Sequence, residues 1–129
     1  MSDADLKARV EGNKAKKVKY EKVCRAISSR GLSTDVDTSQ LTTYIKKCET
    51  YIKAIDGDEG YGSYLDGFKK KLEEEKKIFQ EFKDYIKDAN SGLKTLYTTL
   101  QAEIASLEAQ IQADRSAYNK DKRWFWEQI

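Results

Sequence analysis

Apolar residues recur along this chain at the three- and four-residue steps that gather side chains on one face of a helix. The cleanest run is Leu41, Ile45, Cys48, Ile52 and Ile55, which step by 4, 3, 4 and 3 with Tyr44 and Tyr51 flanking the seam. It predicts an amphipathic helix over about 38–56. Upstream, Leu6, Val10, Tyr20, Cys24 and Ile27 keep a similar spacing, interrupted by Asn13 and Lys17, and predict a first helix with a thin apolar face over about 3–29. Arg30-Gly31 is its stop, because glycine accepts the left-handed conformation that ends helices. The polar segment 32–38 then offers cap residues, and Asp37 followed by Gln40 resembles a capping box for the second helix. Gly57, Gly60 and Gly62 fall within six residues, the strongest breaker in the chain, and predict a reversal there.

Beyond that breaker, positions 61, 65, 68, 72, 75, 79, 82, 86, 89, 93, 96 and 100 alternate steps of four and three, and only Glu75 among them is polar. Ile104, Leu107 and Ile111 continue the stripe after a stutter. Asn90-Ser91-Gly92 interrupts the composition but not the phase, and a turn between independent helices has no reason to preserve phase. A continuous third helix over about 62–122 is therefore expected, with 90–92 the place for a kink. At ~1.5 Å per residue such a helix reaches roughly 85–90 Å and cannot bury its stripe alone. The fold expected is all-α: one domain, residues 1–129, forming an elongated antiparallel helical hairpin or thin three-helix bundle with a long C-terminal helix. The first two helices are expected to run end to end along the third, which leaves Cys24 and Cys48 too far apart to bond. A helical partner or a second copy would complete the burial of the stripe.

Composition narrows the chemistry. The 129 residues include no histidine and no proline, and 36% are charged. Without histidine the commonest general base and every Ser-His or Cys-His arrangement are gone. No enzyme activity, cofactor or metal is expected. Two aspartate-rich loops fail as calcium sites: the one at Asp35 has Gln40 and Lys46 where a glycine and a bidentate glutamate belong, and the one at Asp56 has Tyr61 and Gly67. Cys24 and Cys48 have neither CxxC spacing nor histidine partners and read as buried thiols. Net charge is +2 but uneven, with +5 in residues 1–30 and -4 in residues 31–68. The Lys14, Lys16, Lys17, Lys19 and Lys22 cluster is expected to be a solvated face turned toward the acidic middle segment, not a nucleic-acid contact. With no signal-peptide-like or membrane-spanning run, the chain is expected to be cytoplasmic as made, with export only by a signal-peptide-independent route.

The C-terminal run Lys122-Arg123-Trp124-Phe125-Trp126 holds both tryptophans and exceeds what structure alone requires. It either docks on a partner or packs back over the helix end; membrane contact is not favoured. Two helical arms joined by a turn with an aromatic between glycines, here Gly60-Tyr61-Gly62 followed by Phe68, resemble the WXG-motif helical hairpins of type VII secretion. The likeness is closer to the small helical partner proteins that accompany LXG toxins. The resemblance implies a targeting or chaperone-like adaptor that binds a longer helical chain, with Gly60, Tyr61, Gly62, Phe68, Trp124, Phe125 and Trp126 as its partner-binding residues. That family's export signal is an aromatic followed four residues later by a carboxylate; here Tyr118–Asp121 and Tyr85–Asp88 are three apart. The departure favours an adaptor over an autonomously secreted protein. The other reading of the same pattern is a structural coiled-coil homo-oligomer, such as a phage or cytoskeletal assembly component.

Overall fold

The computed structural model describes residues 1–57, 62–120, 122, 128 and 129, without the side chains of 62–64. The described residues are all-helical: α1 (Asp3–Ser29), α2 (Ser39–Asp56) and a long α3 (Gly62–Asn119). Local chemistry sets the ends. At the start of α1 the Asp5 N–H donates to Ser2 Oγ and the Ser2 N–H to the Asp5 carboxylate, a capping box that satisfies two otherwise orphaned donors. At its end Gly31 takes φ +68, the Gly31 N–H reaches the Ser28 carbonyl and the Leu32 N–H the Ile27 carbonyl, each at 3.0 Å. Those two bonds make a Schellman stop. The capping box expected for α2 does not form. Asp37 Oδ1 instead accepts the Ser39 N–H at 2.8 Å, only two residues on, and the N-cap Thr38 makes no side-chain bond. The Asx-type turn uses the carboxylate before it can reach the third helical residue.

The helices form two compact units, Met1–Thr34 with Leu93–Ile129 and Asp35–Gly92. In the first, α1 lies antiparallel to the second half of α3, with Lys17 Nζ 3.1 Å from the Glu108 carboxylate and Arg9 on Asp114. Leu6, Val10, Cys24 and Ile27 are buried there with Ile104, Ile111 and Tyr118. Lys17 thus meets the second half of α3, not the acidic middle segment. Asp114 is a carboxylate inside the apolar seam, 2% exposed, and Arg9 grips it with two donors while Gln110 Nε2 adds a third at 2.9 Å. The Arg9 hydrogen bond holds its pKa below the usual carboxylate range against the opposing effect of burial. Main-chain atoms of Ile129 return to this unit: Arg115 Nε donates to its oxygen at 2.7 Å and its N–H to Asn119 Oδ1 at 3.1 Å.

In the second unit α2 lies antiparallel to the first half of α3, with Lys76 on Glu49 and Lys69 on Asp56. Ile45 and Cys48 are buried, while Leu41, Ile52, Ile55, Leu65, Leu72, Phe79 and Ile86 are half-buried. Asn90 explains the break in composition. It is buried, 7% exposed, and its Oδ1 accepts the Val36 N–H at 3.0 Å, so a polar residue within α3 anchors the segment leading into α2. α3 runs through Asn90-Ser91-Gly92 without interruption. Cys24 and Cys48 are both free, one in each unit.

Candidate functional site

The second unit carries the surface most open to a partner. On α3 the stripe expected from sequence splits in two. Leu65, Leu72, Phe79 and Ile86 turn toward α2, but Phe68 and Phe82, assigned to the same buried seam, are 56% and 52% exposed. Glu75 and Ala89, which follow their phase, are exposed as well. The positions that complete the packed face are each one residue later: Lys69, Lys76, Lys83 and Asn90 are half-buried or buried. A lysine suits such a position, since its methylene stem covers apolar surface while its ammonium reaches the edge. Lys69 Nζ lies 2.5 Å from the Asp56 carboxylate and Lys76 Nζ 3.4 Å from that of Glu49.

The row turned away from α2 is joined by Ile78 and Tyr85, 61% and 70% exposed. Ile78, Phe82, Tyr85 and Ala89 step by 4, 3 and 4, the spacing of a second helical seam on the same helix. α2 borders this seam through Tyr44 and Tyr51. The Tyr44 ring packs on Phe79, centroids 4.6 Å apart and planes inclined by 54°, and its hydroxyl donates to Glu75 Oε2 at 3.3 Å. Those contacts place Tyr44 on the Glu75 side of α3, and Tyr51, two turns further along α2, follows on the same edge. Glu75's negative charge pushes the Tyr44 phenol pKa up, with burial adding to it. Burial likewise pushes up the Cys48 thiol. At neutral pH both stay protonated.

Six large side chains, Tyr44, Tyr51, Phe68, Ile78, Phe82 and Tyr85, are thus between 43% and 70% exposed along one face. With aromatic side chains burying roughly 150–250 Å² each, the face presents on the order of 500 Å² of largely apolar surface. An isolated exposed residue needs no explanation, but an aligned set does. Among the described residues no cluster of His, Cys, Asp or Glu is suited to hold a metal ion, and no helix is long and apolar enough to cross a membrane.

Of the partner-binding residues expected from sequence, Phe68 lies on this face and Gly62 is the first residue of α3. Gly60, Tyr61, Trp124, Phe125 and Trp126 lie outside the described residues. Ile78 and Tyr85 were not among those expected, although their spacing with Phe82 was present in the sequence as a second phase beside the one followed. Comparison with protein-family models, with curated proteins and with solved structures finds no match to this chain.

Proposed function

We propose that the chain is a non-enzymatic helical partner protein that binds a longer helical chain, acting as a targeting factor or chaperone-like adaptor for a type VII-secreted LXG toxin. The observation that supports it most is the aligned exposure of Ile78, Phe82 and Tyr85 beside Tyr44 and Tyr51. A helix laid on that face would convert the two-helix packing of the second unit into three-helix packing and bury the second seam. The resemblance of Gly60-Tyr61-Gly62 and Phe68 to the turn of the type VII helical hairpins supplies the secretion context. Export would then follow the partner, by a route that uses no cleaved signal peptide.

The test is co-expression with the helical N-terminal region of an LXG toxin encoded beside this chain, followed by size-exclusion chromatography. A stable complex that Phe82→Ala weakens is the expected result. The second reading, a structural homo-oligomer, draws on the same seam. Sedimentation of the chain alone as a defined oligomer, with no complex on co-expression, would replace the adaptor reading by it.

A further inference from the structure

The apolar face of the second unit has an acidic border on α3. At 100° per residue, the row next outward from Ile78 and Tyr85 on α3 is Glu74, Glu81 and Asp88, seven residues apart and all exposed. None of the three is in an ion pair among the described residues, whereas Glu49, Asp56 and Glu73 are each engaged by a lysine. Lys70 and Lys77 sit a further step back from the seam, and Lys71 heads the row of Ile78 and Tyr85 one heptad earlier, beside Glu74. On the opposite border stand the tyrosines of α2, and the exposed Lys47 lies between them one step further outward. The face is therefore asymmetric, edged by three acids along α3 and by a base, Lys47, along Tyr44 and Tyr51.

We infer that the occupant of this face is an amphipathic helix of a different chain whose apolar stripe is edged on one side by lysine or arginine, seated so that its basic edge runs along Glu74, Glu81 and Asp88. This rests on the helical-partner reading above and adds the chemistry of the partner. Successive acids one heptad apart are ~10.5 Å apart along the axis, so basic residues at heptad spacing on the partner would meet all three. The span from Phe68 to Asp88 corresponds to roughly 30 Å, about three heptads of bound helix. A second copy seated antiparallel by the same face fits less well. In an antiparallel pair the same flank of each helix faces its counterpart, so the two acidic rows would oppose each other and repel.

The probe is a pair of fluorescent three-heptad peptides with leucines forming the stripe and either lysine or glutamate along one edge, titrated with the full chain by anisotropy. Exposed ion pairs are individually weak, but three of them replaced by three repulsions should separate the peptides by about tenfold or more at low salt. The separation should shrink in ~0.5 M salt. A chain carrying Glu74→Lys, Glu81→Lys and Asp88→Lys, all solvent-facing, should retain its circular dichroism and invert the preference. Phe82→Ala should weaken both peptides. Equal affinities that Phe82→Ala reduces would overturn the charge assignment and leave the helical-partner reading standing. Binding of neither peptide would overturn both, as would a dimer of the chain alone that Phe82→Ala dissociates.

Discussion

Phe82→Ala separates a surface seam from a core. Phe82 is 52% exposed, so of roughly 200 Å² on a phenylalanine side chain about 100 Å² remains to be covered by a partner. At ~25 cal/mol per Å² that area contributes about 2.5 kcal/mol to association, or about 70-fold in Kd. Within the chain itself the same substitution removes much less. Part of any helical side chain is covered by the preceding turn of its own helix, and alanine returns about 0.5 kcal/mol of helix propensity, so a loss of about 1 kcal/mol is expected. Ile45→Ala is the matched control: Ile45 is 5% exposed in the same unit, and emptying such a site costs about 2–5 kcal/mol. Thermal melts followed by circular dichroism should therefore place Phe82→Ala within about 5 °C of wild type and Ile45→Ala well below it. Isothermal titration with the captured partner should show the reverse ranking of severity for Phe82→Ala. If Phe82→Ala melted as low as Ile45→Ala, Phe82 would be buried in solution and the face would not be free to bind.

Four further outcomes follow from particular contacts. Asp114 has a pKa held below its ordinary value of 3.8, so its contribution to stability is complete above that value and is lost as pH falls through the lower folded pKa; Asp114→Asn should flatten the acid limb of a stability–pH curve and lower the neutral-pH melting temperature. Gly31, at φ +68, should cost about 1 kcal/mol on replacement by alanine, read as a fall in denaturant midpoint with unchanged slope. Cys24 and Cys48 are both buried and free, so a thiol reagent should count two thiols only after unfolding, and mild oxidation of the monomer should produce no Cys24–Cys48 bond. Arg115→Ala removes the donor that holds the Ile129 oxygen and should speed removal of Ile129 by a carboxypeptidase, measured by mass spectrometry, without changing the melting temperature of α1 and α3.

Why the helices were legible from sequence and the site only partly so comes down to what periodicity measures. Steps of three and four report that a residue is apolar on one side of a helix, and this suffices where a helix has one neighbour. Leu6, Val10, Cys24 and Ile27 were assigned to the core on that basis and are buried. α3 is different because it carries two apolar rows about a third of a turn apart, and a single 4/3 alternation takes one shared row and guesses the other. Positions 65, 72, 79 and 86 belong to the packed face either way. The choice between 68, 75, 82 and 69, 76, 83 turns on which side α2 occupies, and hydrophobicity favours the phenylalanines. The packed side instead takes Lys69 and Lys76, because Asp56 and Glu49 on α2 meet their ammonium groups while their stems cover the seam. An ion pair between residues 27 apart, as for Lys76 and Glu49, leaves no trace in local spacing. The displaced phenylalanines are then the informative ones: α2 uses one row of α3, and the apolar row left over, Phe68 and Phe82 with Ile78 and Tyr85, is what a further helix would need.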